Sequence, residues 1–237
     1  MAHVRVLCEL VAERLQLEPA ERRTIRAAAL SYDLGMHAMR EDLSAHPGAL
    51  SPAQRARLRE HPRLGADLLR RAGVADEAWL EAILGHHERI DGSGYPRGLS
   101  GDGIGRPARI LAVADIYSAM IRPRAYRGAL NAREAMRTIF LERGRLVDAE
   151  LAALLVKSIG MFPPGSFVRL ANGEIAVVTA RTDNASLPEL RSVVAMDGSP
   201  RTMPSPRDPQ DPLYAIVSEY PISECRFPMA PVRRLWT

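Results

Sequence analysis

The reading turns on His86-His87-Glu88-Arg89-Ile90-Asp91-Gly92-Ser93-Gly94-Tyr95-Pro96. It follows an apolar segment that Asp76 can cap and that carries Trp79, Leu80, Ile83 and Leu84, so the two histidines stand where a helix ends near Glu88. Adjacent residues on a helix point ~100° apart. Two neighbouring imidazoles therefore face one site only where the backbone is leaving the helix. Beyond them come Gly92, Gly94, Gly98, Gly101, Gly103 and Gly105, with Pro96 among them, too many breakers for a helix interior. Long loops in compact domains are often functional, and glycines let backbone amides approach an anion.

Upstream and downstream the pattern is helical. Val4, Leu7, Leu10, Val11 and Leu15 form one stripe over residues 4–16. A second apolar segment, Thr24–Leu34, is predicted to end at Gly35. Ser51-Pro52-Ala53-Gln54 has the makings of a capping box with proline in the first turn, and opens a helix predicted to run to about Arg71, with His61 inside it and Gly73 as its stop. Pro107 opens Ala108–Met120. Asn131-Ala132-Arg133-Glu134 is a further capping box with Gly144 as its stop, and Asp148 caps a last helix ending at Gly160. After Met161 the period changes. Ser166–Leu170 alternates, Asn172-Gly173 is a hairpin turn, and Glu174–Ala180 continues as a strand. Leu190–Ala195 and Leu213–Ser218 are weaker strands, and Pro200–Pro212 reads as a proline-rich loop. The expected fold is mainly α, a helical bundle over residues 1–160 with a small β-rich C-terminal appendage over 161–237.

Composition narrows the setting. The chain has 237 residues, a net charge of +4 and 46% hydrophobic residues, which excludes disorder. Cys8 and Cys225 are too few for a disulfide scaffold. All six histidines lie in the first 87 positions, while eleven of the 18 prolines lie after residue 160, which puts any metal chemistry in the first part. Arginines outnumber the single lysine, Lys157, 31 to one, yet they are spread along the chain rather than gathered in a patch, which argues against DNA as a partner. No run reaches the ~18 apolar residues of a membrane span. The N-terminus lacks the apolar stretch of a signal peptide, so a cytoplasmic location is expected.

Three further residues join the histidine pair. Asp33 closes the second helical segment, His61 precedes Pro62, and Asp115 sits in the apolar run Ile110-Leu111-Ala112-Val113-Ala114-Asp115-Ile116. A carboxylate among so many apolar groups is costly to bury unless it is paired or bound to a metal. Mixed imidazole and carboxylate ligation suits iron, manganese or zinc, and an aspartate can bridge two ions.

The segment His86–Pro96 resembles the HHExxDGSGYP signature of the HD-GYP family, and the resemblance runs from about residue 4 to residue 130. It takes in His46-Pro47-Gly48 with Leu50, His61-Pro62 with Gly65, the helix Ala108–Asp115, and Arg124-Ala125-Tyr126-Arg127, which is similar to the family's R-P-Y-[RK] stretch. Phe162–Glu174 resembles the β extension that follows such domains. The resemblance implies an HD-domain-like bundle and a bacterial phosphodiesterase that hydrolyses cyclic di-GMP by metal-activated hydroxide. It implies Asp33, His61, His86, His87 and Asp115 as metal ligands, with Asp33 also catalytic. It implies one or two divalent ions, iron or manganese, and Gly94, Tyr95, Pro96, Arg124 and Arg127 as ligand-binding residues.

The departures shape the functional expectation. The family's His-Asp pair is Tyr32-Asp33 here, its following lysine is Met36, an aspartate after the last metal carboxylate is Ser118, and a further ligand histidine would fall before Met1. A phenol with pKa near 10 is a poor neutral-pH ligand for most divalent ions. The leading expectation is a degenerate HD-GYP domain that binds cyclic di-GMP or a protein partner in second-messenger signalling, with weak or absent hydrolysis. An active metal-dependent cyclic di-GMP phosphodiesterase tolerating Tyr32 is the alternative, and an interaction scaffold that binds no nucleotide is the second.

Overall fold

The computed structural model of the chain describes residues 2–37, 51–121, 130–160, 162–184, 186–221 and 224–225. His46, Arg124 and Arg127 lie outside the described residues. The chain divides into two compact units, Met1–Leu130 with Glu134–Ser158, and Asn131–Arg133 with Ile159–Thr237.

The first unit is helical. Its elements are α1 (Ala2–Arg14), α2 (Pro19–Ser31), the single turn α3 (Leu34–His37), α4 (Pro52–Arg59), α5 (His61–Arg71), α6 (Glu77–Gly85), α7 (Arg106–Ile121), α8 (Ala132–Leu141) and α9 (Ala149–Ile159). α7 is the central helix. It buries Ala108, Ile110, Leu111, Ala112, Val113, Ala114, Tyr117 and Met120, more than one face, because α1, α2 and α6 all pack against it. Ser51 and Gln54 form the expected capping box at α4, and Asp76 caps α6 by accepting the Trp79 amide at 3.0 Å. Asp148 caps α9 through the Leu151 amide at 3.0 Å.

Two boundaries differ from expectation, each for a physical reason. Gly35 does not stop a helix. It lies buried within α3, where a Cβ would come within 2.0 Å of the His61 carbonyl oxygen, so glycine is there to let two backbones touch. The helix expected from Pro52 to Arg71 breaks at Glu60, and His61 opens α5 instead of lying mid-helix. Pro62 has no amide to give the Leu58 carbonyl four residues back, so the ladder is interrupted there.

The second unit is a five-stranded antiparallel sheet in the order β4-β3-β2-β1-β5, with β1 (Phe167–Leu170), β2 (Ile175–Ala180), β3 (Glu189–Val194), β4 (Pro200–Arg207) and β5 (Ile216–Glu219). Asn172-Gly173 turns β1 into β2, with Gly173 at φ 88°. Val168, Leu170, Ala176, Val178 and Leu190 form a core on one face, and Phe167, Ile175, Val177, Val193 and Val194 form one on the other. The segment expected as a proline-rich loop is largely β4, which pairs with β3 from Leu190↔Arg207 to Val194↔Pro200. Its prolines fall at 200, 204 and 206, and β4 is an edge of the sheet, where a missing amide is tolerated. Glu174 is buried beside it. Arg201 Nη2 donates to its Oε1 at 2.8 Å, and Arg207 donates to both carboxylate oxygens at 2.8 and 3.0 Å. Among the described residues no helix is long and apolar enough to cross a membrane.

Candidate metal centre

The break before α5 also orients His61. The Leu58 carbonyl that Pro62 cannot reach accepts from His61 Nδ1 at 2.7 Å. His86 is placed in the same way. α6 ends at Gly85, and the Ile83 carbonyl in its last turn takes His86 Nδ1 at 2.5 Å. Two helix boundaries thus assign the tautomers: each Nδ1 carries the proton and each Nε2 carries a lone pair. These two Nε2 atoms face one another at 3.2 Å.

His87 completes the cluster, with ring centroids 4.1 Å from His86 and 4.9 Å from His61. One ligand atom from each of the three histidines lies within 4.8 Å of the others. Burial, and after it the neighbouring His61, pushes the His86 pKa down to about 3. Burial also lowers His61, and lowers His87 well below the ordinary imidazole value. All three rings are therefore neutral at pH 7. The His61 and His86 lone pairs point at each other with no proton between them, an arrangement that a cation satisfies and a hydrogen bond does not. Two nitrogens each ~2.1 Å from one ion, at tetrahedral to octahedral angles, lie roughly 3.0–3.4 Å apart. The donor set fits a metal ion.

The two aspartates lie close enough to this cluster to act on it through their charge. The charges of Asp33 and Asp115 raise the proton affinity of His61 against the effect of burial, and Asp33 does the same for His86. The Gly35 contact with α5 sets the Tyr32-Asp33 turn beside His61. Tyr32 is buried, and its ring meets His86 edge-on, with centroids 5.2 Å apart and an interplanar angle of 80°.

The glycine loop is folded around Glu88. The buried Glu88 carboxylate accepts the Arg97 amide at 2.8 Å and the Leu99 amide at 3.0 Å. Asp91 turns the loop by accepting the Ser93 amide at 2.9 Å and the Ser93 hydroxyl at 2.6 Å. Gly94 packs on this scaffold, since a Cβ there would come within 2.4 Å of Glu88 Cα. Tyr95 stacks on His87 with centroids 4.7 Å apart, and burial raises its phenol to about 12. Sequence reasoning missed Glu88 as the centre of the loop, and it missed Arg59, whose guanidinium lies 5.4 Å from the Tyr95 ring centroid. Glu88 stands inside the quoted signature, so its position was visible while its role was not. Nothing in the sequence marks Arg59 out from the arginines around it.

Comparison with known proteins agrees with this geometry. The profile of the HD domain family matches residues 1–151. The chain is 35% identical over 74% of its length to a cyclic di-GMP phosphodiesterase of Pseudomonas aeruginosa. It is 37% identical over 66% of its length to a cyclic di-GMP phosphodiesterase response regulator of Xanthomonas campestris. A 3'3'-cGAMP-specific phosphodiesterase of Vibrio cholerae is 32% identical over 68% of the chain. A solved HDG"Y"P protein of Bdellovibrio bacteriovorus shares the fold at a TM-score of 0.54, with 23% identity over 65% of this chain and 49% of that one. The chain belongs to the HD domain family, in its HD-GYP branch. It spans less than half the length of the first two relatives, 43% and 41%.

Proposed function

We propose that the helical unit is a metal-dependent phosphodiesterase acting on a cyclic dinucleotide of the cyclic di-GMP class, in a cytoplasmic setting where Cys8 and Cys225 stay free. The observation that carries this reading is the pair of neutral imidazoles whose lone pairs meet at 3.2 Å. The three enzymes it resembles, each named a cyclic dinucleotide phosphodiesterase, support the substrate class.

His61, His86 and His87 hold the ion, with Asp33 and Asp115 as the neighbouring carboxylates. When bound, a divalent ion such as iron or manganese supplies Lewis-acid polarisation of the phosphoryl oxygens and activates the attacking water. The Nδ1 contacts to Leu58 and Ile83 lock the rings, so no reorganisation is needed on binding. Asp33, beside His61, accepts a proton from the attacking water. Tyr95 and the Glu88-centred loop wall the site next to His87. On the resemblance, Arg124 and Arg127 contact the ligand's phosphates.

The test is direct. The purified chain is analysed for metal, then incubated anaerobically with iron(II) or manganese(II) and either cyclic di-GMP or 3'3'-cGAMP. Linear dinucleotide or mononucleotide product is the expected result. Absence of both binding and product at every metal load overturns the reading. A second reading, binding without turnover, is favoured by one observation: the buried Tyr32 ring stands against His86 where the family carries a ligand histidine. Tight binding with no product, together with a rise in metal content and turnover in Tyr32→His, decides for it.

A further inference from the structure

We propose that Arg59 anchors the second phosphodiester of the substrate, the one the histidine cluster does not engage. This rests on the phosphodiesterase reading above and goes beyond it, because it assigns a residue to one half of a ligand that carries two phosphates.

Arg59 is the last residue of α4, two positions before His61, and it is exposed. Its guanidinium lies over Tyr95, whose ring in turn stacks on His87. Arg59 thus adjoins the cluster through the Tyr95 ring while its guanidinium stays exposed, beside the imidazoles rather than among them. A cyclic dinucleotide presents a second phosphodiester across its ring, and that group is the one Arg59 can meet.

Several of the nearby arginines are engaged elsewhere. Arg97 binds Glu81 at 2.7 Å, Arg145 reaches Asp91 at 3.6 Å, and Arg63 reaches Glu60 at 3.8 Å. Arg89 donates to the Glu88 carbonyl at 3.1 Å. Among the described residues, Arg59 has an aromatic ring for its partner and no carboxylate. An incoming phosphate therefore has no bound carboxylate to displace. A contact to a ring face also leaves the N–H donors, which lie in the guanidinium plane, available as a fork for phosphate oxygens. Arg55 stands one turn earlier on the same face of α4, exposed and likewise without a carboxylate partner among the described residues. Like charges one turn apart repel, and an anion between them relieves the repulsion.

The experiment compares a substrate holding two phosphodiesters with one holding a single phosphodiester. Arg59→Ala is assayed on cyclic di-GMP and on bis(p-nitrophenyl) phosphate, with metal content measured in parallel. The expected result is a KM, or a calorimetric Kd in manganese, raised roughly ten- to a hundredfold for cyclic di-GMP. The bis(p-nitrophenyl) phosphate KM, the kcat on both substrates and the metal content stay at wild-type values. Arg59→Lys recovers part of the affinity, and Arg71→Ala, at the far end of α5, changes nothing. Equal losses on both substrates, or loss of metal, show a structural role and overturn the assignment, as does no change on cyclic di-GMP. If the wild-type chain neither binds nor cleaves cyclic di-GMP, the phosphodiesterase reading falls and this assignment falls with it. That outcome is distinct from a wild type that binds and an Arg59→Ala variant that binds equally well.

Discussion

The two units bury polar groups in opposite ways. In the sheet unit, Glu174 is enclosed by Arg201 and Arg207, and both its oxygens have donors. In the helical unit, three imidazoles converge; the Nδ1 atoms of His61 and His86 are satisfied by backbone carbonyls, and the Nε2 atoms of these two are turned on each other. A closed polar network stabilises the fold that contains it. An open one is a cost carried by the fold, and it is relieved only by something that binds. The contrast separates structure from function without reference to any relative.

The comparison can be broken most decisively at His86. His86→Leu is expected to abolish metal binding, measured by elemental analysis, while the thermal midpoint of the metal-free protein does not fall, because the lone pair that faces His61 Nε2 has been removed. A large loss of metal-free stability would mean that the cluster is a structural network after all. Gly35→Ala comes next. It forces a Cβ into the His61 carbonyl, and a cost of about 3 kcal/mol is expected in denaturant unfolding, with metal affinity falling alongside. Glu174→Gln should cost about 3 kcal/mol in the sheet unit and leave metal content unchanged.

The same carboxylate carries a pH signature. Burial alone pushes Glu174 up, but Arg207, Ser192 and Arg201 outweigh it and hold the group down at about 2, against an ordinary 4.5. A folded-state pKa below the unfolded one gives stability that is fully present above about pH 4.5 and is lost as the pH falls toward 2. The stability gap between wild type and Glu174→Gln should therefore close on acidification across that window, and a gap independent of pH would refute the pairing. The smallest effect is at α4, where Ser51→Ala removes a cap worth ~1 kcal/mol and should move neither metal nor substrate binding.

Much of this was legible in the sequence because it is local. Ser51, Asp76 and Asp148 cap the helices they were expected to cap, and Asn172-Gly173 turns the first hairpin, since each depends on residues within four positions. His86 and His87 stand in a long ordered signature and His61 in the His61-Pro62 match with Gly65, and the structure gathers all three. What stayed hidden depends on partners far along the chain. Gly35 reads as a stop until His61 arrives against it. Pro62 reads as tolerable within a helix until the Leu58 carbonyl it abandons is seen to hold an imidazole. Pro200, Pro204 and Pro206 read as a loop because proline is depleted in strands, and only pairing with β3 at an edge makes them compatible with one. Asp33 and Asp115 act on the cluster through their charge, and spacing alone does not show that.

The edge strand has a consequence of a different kind. A strand at the border of a sheet offers a row of free amides and carbonyls to any other chain that can lie alongside it, the first step of strand-to-strand aggregation. β4 pairs with β3 through an irregular ladder on one side only, and its prolines at 200, 204 and 206 each take an amide out of this border strand. A border short of three amides is a poor template for a neighbour, so the prolines that hid the strand from sequence reading also work against growth of the sheet.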